Sequence, residues 1–346
     1  MSDQQPQNQT GKAKRGFWRI YAMLAVIAAL GFGWNWGWQK AADKLDAAAT
    51  SGISRLSDKG TEVTCTNRRI IGYPFRIGLR CDSLSIFTTA NGLKLDAGEF
   101  RSAAQFYKPG HAIAELEAPL TGETLGGEKV TAIWENLKAS IIVGIGGWKR
   151  ISIEASSPRG NGNLSGFQGF EVSADDIQLH ARAPDESSRA DGLDLAASAI
   201  NLNMQGLAKI PSADVTANLA LEQIGGHIEP GFNLRQYLRQ YGLSGEAREL
   251  AIMPKGGGRF AVSGPFEVSS AGLLSGKLTL EFTDTARLLA FAAAAGGDAE
   301  WLAQAGQVLS MIPASSDGSA RKITLNIQDG AVSAGFFKLG EIPSLF

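Results

Sequence analysis

The sequence predicts a mainly β protein of the β-rich α+β class. An N-terminal transmembrane helix precedes a large antiparallel sheet, curled or sandwich-like, with a few capping helices. Three observations predict this. Residues 20–38 carry no charge, and nineteen residues at helical rise span roughly 28 Å, about the hydrocarbon thickness of a bilayer. Beyond residue 60, apolar and polar side chains alternate with a period of two in short runs. Glycine, 42 of 346 residues, is spread between those runs, where tight turns between strands need it.

Residues 1–16 are polar, rich in Gln and Lys, and read as a disordered cytoplasmic tail. The anchor covers 17–38. Trp18 and Tyr21 mark one end and Trp34, Trp36 and Trp38 the other, where amphipathic rings favour the headgroup zone. Lys12, Lys14, Arg15 and Arg19 precede the apolar run, whereas the flank after it mixes Lys40 and Lys44 with Asp43 and Asp46. The positive-inside rule then keeps the N-terminus cytoplasmic and sends the chain after about Gln39 across the membrane. A cleaved signal peptide is the competing reading, with Gly31 and Gly33 or residues 47–49 as weak cleavage sites. The long apolar run and its Trp cluster favour an uncleaved anchor. Within it Ala25, Ala29, Gly33 and Gly37 form a ridge of small residues that would let two such helices pack closely.

Residues 39–59 continue as a helical stalk, with Leu45, Ala49, Ile53 and Leu56 at helical spacing and Gly60 as the stop. The first β-rich half is 60–183. A hairpin centred on Tyr73 places Val63 opposite Ser83 and Cys65 opposite Cys81, which predicts a disulfide between these two residues, the chain's only cysteines. Apolar parity switches between Cys81 and Leu84, and again between Val172 and Ile177, suggesting bulges near Asp82-Ser83 and Asp175-Asp176. Short strands are expected over 93–97, 112–120, 130–134, 141–145 and 151–155.

A polar linker at 184–190 separates this half from a second β-rich half with helices, 191–346. Strands are expected over 193–204 and 215–222, then a short helix at 234–241 between Asn233 and Gly242. A hairpin follows over 249–262, a strand over 278–283, helices over 285–295 and 298–312, and a closing strand pair over 323–327 and 332–339. Val215, Ala217, Leu219 and Leu221, then Leu278, Leu280 and Phe282, then Ile323, Leu325 and Ile327 present apolar rows. In a closed sandwich those rows bury one another; in an open curl they line a groove for an acyl chain or similar apolar ligand.

Composition excludes several function classes. The net charge is −1 with no basic stripe, so no nucleic-acid partner is expected. His111, His180 and His227 are isolated, with no carboxylate or Cys at metal-ligand spacing, so no metal is expected. Lys255-Gly256-Gly257-Gly258 has its Lys before the glycines, the reverse of a phosphate loop, and reads as a turn. Asp175-Asp176 has no nucleophile or His nearby, so no catalytic residue or cofactor is expected and the chain reads as a non-enzyme.

Residues 72–81, Gly-Tyr-Pro-Phe-Arg-Ile-Gly-Leu-Arg-Cys, follow a membrane span and an earlier Cys. They resemble the signature of the DUF2125 family of proteobacterial envelope proteins, and the ending over 323–343 resembles that family's C-terminus. The resemblance implies a bacterial inner-membrane protein with a periplasmic domain, and no activity. The architecture is more loosely similar to AsmA-like proteins, whose curled sheets are linked to lipid handling in the envelope. Two functions follow as expectations. One is a carrier of lipid or another amphipathic molecule; the other is a scaffolding subunit that meets an envelope protein or a second copy of itself.

Overall fold

The structure, a computed structural model, describes residues 14–90, 92–144, 147–164, 167–183, 191–206, 210–228, 232–312 and 320–346. Most of the predicted tail, residues 1–13, and the predicted linker at 184–190 lie outside the described residues. Helix α1 (Lys14–Asp58) runs unbroken through the predicted anchor and stalk. It is long and apolar enough to cross a membrane, and none of its apolar window is buried by the rest of the chain.

The remainder is one antiparallel sheet that does not close. Its first half is a meander of creased strands. β1 (Thr61–Thr66) continues as β2 (Arg69–Ile71), and β3 (Arg76–Cys81) as β4 (Ser83–Thr88). β5 (Leu93–Ala97) continues as β6 (Phe100–Gln105), and β7 (Lys108–Leu116) as β8 (Leu120–Glu123). β9 (Lys129–Ile133) leads into β10 (Asn136–Gly144), and β11 (Gly147–Ser156) into β12 (Arg159–Leu164). β13 (Phe167–Ser173) completes the set with β14 (Asp176–Arg182).

Each of these long strands changes leaf at a break of one to three residues. One leaf has the order β2-β3-β6-β7-β10-β11-β14, the other β1-β4-β5-β8-β9-β12-β13. The ladder continues through the breaks, for the amides of Asp82, Glu135, Ser157 and Asp175 donate to the carbonyls of Thr66, Ser156, Asp175 and Ile200. The predicted bulges at Asp82-Ser83 and Asp175-Asp176 are therefore two points on a single crease.

The leaves share β15 (Leu193–Gln205): β14 pairs with its first part and β13 with its last. Asn201, at φ 55°, turns the strand between them. The meander then runs through β16 (Ile210–Leu221), β17 (Leu243–Pro254), β18 (Arg259–Val268), β19 (Leu274–Thr283), β20 (Arg321–Gln328), β21 (Ala331–Ala334) and β22 (Phe337–Glu341). Strands on either side of the predicted linker thus pair with one another, and the two halves share one sheet.

Helix α2 (Leu234–Tyr241) starts where Asn233 Oδ1 accepts from the Gln236 amide and stops at Gly242. Both ends match the sequence reading. Helix α3 (Thr285–Ala294) is capped by Asp284 and lies against β16, and α4 (Ala299–Met311) packs on α3.

The first hairpin departs from its predicted register by three positions. Cys65 pairs with Leu84, Val63 with Ile86, and Ile71 with Gly78. The ladder is centred between Pro74 and Phe75 rather than on Tyr73; the turn contains a cis Tyr73–Pro74 bond, and the Arg76 amide donates to Gly72 O. Gly72 has φ 108°, and a Cβ there would meet Arg76 backbone at 2.8 Å, so this turn needs glycine. The disulfide forms nonetheless, with Cα atoms 5.2 Å apart. It reaches across the crease, from β1 in one leaf to β3 in the other.

Candidate functional site

Register assigns the two sheet faces. In the first leaf Ile153, Leu179, Ala197, Ala217 and Leu250 stand side by side across β11, β14, β15, β16 and β17. The next row holds Ile141, Ile151, Ala181, Leu195 and Leu219. In the second leaf the row nearest the crease holds Leu84, Ala97, Leu120, Ala132, Gly160 and Val172. Cys65 belongs to that row and Cys81 to the apolar row of the first leaf, where it pairs with Phe100. Their bond therefore joins the two apolar faces at the crease, and both faces look into the same angle. Cys81 is 1 % exposed.

The opposite face is polar. Arg101, Glu115 and Lys138 form a cross-strand row, with Glu115 3.3 Å from Arg101 and 3.9 Å from Lys138. Glu281 on β19 likewise pairs with Lys322 opposite it on β20 at 3.0 Å and diagonally with Arg259 on β18 at 3.6 Å. Exposed pairs of this kind contribute about 0–1 kcal/mol each. Their use here is to keep one face wet, and so to fix which face turns inward.

Across β11, β14, β15 and β16 lies a cavity of about 300 Å³ lined by Ile151, Ile153, Leu179, His180, Ala181, Leu195, Ala196, Ala197, Ala217 and Leu219. That volume is at the lower end of small-molecule sites. It is open: Ile141, Ile153 and Leu179 remain 36 %, 38 % and 45 % exposed. One end is walled by a cluster of Leu193, Leu221, Ile224 and Tyr237, against which Trp148, Ala181, Leu195, Leu219 and Phe266 pack. Tyr237 comes from α2. Its hydroxyl donates to Gln223 O at 2.9 Å, and its ring lies 5.2 Å from His227, 5.7 Å from Phe232 and 5.1 Å from Tyr241. Burial pushes the Tyr237 hydroxyl pKa up, so it stays a neutral donor.

The residues proposed from sequence for a groove separate into two groups. Ala217 and Leu219 line the cavity, and Leu221 lies in its end wall. Val215 is half-buried on the same face, nearer the crease. Leu278, Leu280, Ile323 and Leu325 continue the apolar rows on β19 and β20, half-buried and beyond the cavity, while Phe282 and Ile327 are buried. Sequence reasoning missed Ile151, Ile153, Leu179 and Leu195, although the parity switch at Asp175-Asp176 had put Leu179 on an apolar face.

Other candidates take structural roles. Asn201 donates to Asp175 Oδ1 at 3.4 Å, and Asp176 Oδ1 accepts from Gln178 at 2.9 Å. His180 Nδ1 is 2.9 Å from Ser152 Oγ. Lys255 pairs with Asp214 at 2.7 Å, and Asp214 also accepts from the Asn201 amide at 2.7 Å, which holds the turn in β15. Among the described residues no group of three or more His, Cys, Asp or Glu is placed to hold a metal ion. Ala25, Ala29 and Gly33 lie exposed along α1, and a Cβ at Gly33 or Gly37 would meet nothing within 4 Å.

Fold and site define a class: a β-rich chain led by one helix that is, among the described residues, long and apolar enough to cross a membrane, with a creased open sheet that presents an apolar face. The chain belongs to the DUF2125 family, described as an uncharacterized protein conserved in bacteria, whose family model matches residues 38–343. Neither the curated proteins nor the solved structures contain a match.

Proposed function

We propose that this protein is a non-enzymatic, membrane-anchored carrier that holds the acyl chain of a lipid, or a similar amphipathic molecule, in its creased sheet. The observation that carries the proposal is the open apolar cavity, with Ile153 and Leu179 left 38 % and 45 % exposed inside the fold. Apolar surface left wet in a soluble region is unusual without something to cover it. Each acyl CH₂ buried there would contribute about 0.8 kcal/mol, so a dozen carbons yield about 10 kcal/mol before the entropy lost on binding. Anchoring keeps the groove beside its lipid supply. The Cys65–Cys81 disulfide agrees with an oxidising compartment. With the cations before the span, it supports a bacterial inner-membrane protein whose N-terminus is cytoplasmic and whose sheet is periplasmic, serving envelope maintenance.

Lipid extraction from the purified full-length protein tests this, with mass spectrometry as readout. The wild type is expected to carry a stoichiometric lipid, and Ala197→Trp, which fills the cavity, to lose most of it while keeping its circular dichroism. A second reading is a scaffolding subunit, favoured by the ridge of Ala25, Ala29, Gly33 and Gly37, of which the first three are exposed. Copurification of a stoichiometric protein with no extractable lipid would replace the carrier with the scaffold.

A further inference from the structure

The turn over residues 72–75 is fastened to the anchor helix. The Trp34 indole donates to Pro74 O at 2.9 Å and the Trp38 indole to Arg76 O at 2.8 Å. Trp34 also meets Phe106 edge-on at 5.0 Å and Phe75 at 6.3 Å, and Trp38 meets Tyr73 at 5.4 Å. The Phe106 amide donates to Phe75 O at 3.0 Å, so the β6–β7 turn lies beside the β2–β3 turn.

These contacts fix a height. Trp34 and Trp38 are the last turn of the uncharged run that ends at residue 38, where a helix of this length leaves the hydrocarbon. The two turns lie at that level, and they carry exposed aromatic side chains: Tyr73 at 54 %, Phe75 at 64 % and Tyr107 at 68 %. Arg76 and Lys108 are exposed in the same two turns. Amphipathic aromatics beside cations suit a phospholipid headgroup layer, with rings at the acyl boundary and cations against phosphates.

We propose that the paired turns at residues 72–76 and 106–108 form a second membrane contact. Tyr73, Phe75 and Tyr107 insert into the headgroup layer of the leaflet at which α1 emerges. The sheet is then held at the bilayer by two points, the helix and the turns, and its leaf cannot swing freely about the stalk. This inference does not depend on what the cavity holds.

The test is electron paramagnetic resonance on the full chain in phospholipid nanodiscs. Spin labels are placed singly through Phe75→Cys, Tyr107→Cys and, as a control in the other leaf, Leu125→Cys, which is 83 % exposed. The native disulfide leaves only the introduced thiol to react. Labels at 75 and 107 are expected to favour oxygen over a water-soluble nickel complex severalfold more than the label at 125. Phe75 touches Trp34, so the Tyr107 label is decisive if Phe75→Cys loosens the turn. Nickel access at 107 equal to that at 125 would overturn the proposal, as would equal oxygen preference at both.

Discussion

Asp214 shows how one side chain holds the crease where the two leaves share a strand. Its hydrogen bond from Lys255, then that from the Asn201 amide, lowers its pKa below the usual carboxylate value, against a smaller opposing effect of burial. A depressed folded-state pKa makes a stabilising contribution that is complete above the unfolded value, near 3.9, and is lost as pH falls through the folded value. Asp214→Asn is therefore expected to remove this residue's share of the acid sensitivity below about pH 4, leaving that of Asp82 and Asp96, while costing about 1 kcal/mol at neutral pH. Denaturant titrations of both forms at neutral and acidic pH check this. The disulfide acts at the first strand of the same crease. Replacing Cys65 and Cys81 together by Ser is expected to cost about 3 kcal/mol on the loop-entropy model, for a separation of 16 residues. Urea unfolding measures the loss, and an unchanged midpoint would show that the bond does not constrain the fold. The pairing was legible from a hairpin register that set Cys65 opposite Cys81 and from a compartment beyond the membrane; the bond is there, though Cys65 pairs with Leu84 in the ladder. The observed register was not legible, because the shift arises at the turn itself: Ile71 already pairs with Gly78 before the crease, and Cys65 with Leu84 beyond it keeps the same offset.

At the scale of elements, α1 and the first hairpin explain one another. The stalk stripe of Leu45, Ala49 and Ile53 is half-buried, and α1 lies against β1, β2 and β3, so the helix covers the sheet's first edge. Arg68 extends the contact, 3.0 Å from Asp46 and 2.8 Å from Thr50. Trp34→Phe and Trp38→Phe each delete one hydrogen bond, worth about 1 kcal/mol. Faster amide exchange over residues 72–76 in either variant is the expected result, with the core strands unchanged. The sequence showed the Trp cluster as an interface belt. It gave no sign that two of its indoles serve a turn forty residues on, since long-range hydrogen bonds leave no periodicity. α2 was legible at both ends because its caps are local chemistry. The strand predicted over 112–120 is two strands: β7 ends at Leu116 and β8 begins at Leu120.

Over the whole molecule, local alternation told which face of each strand is apolar and could not tell how the faces meet. Sandwich and curl share that pattern. The difference lies in breaks such as Asp82 and residues 174–175, where one extra residue turns the strand and preserves the inward face. Hence Leu219 was recognised as a groove residue, while its neighbours across the sheet, Leu195 and Ala181, were not. The most direct test of the carrier account is photocrosslinking to radiolabelled phospholipid from benzoylphenylalanine placed at four positions. Leu179 and Ile153 belong to the inner face; Gln178 and Glu154 are their immediate chain neighbours on the outer face. The account predicts lipid adducts from 179 and 153 and none from 178 and 154. Equal capture at all four, or crosslinks from 179 and 153 to protein alone, would contradict it.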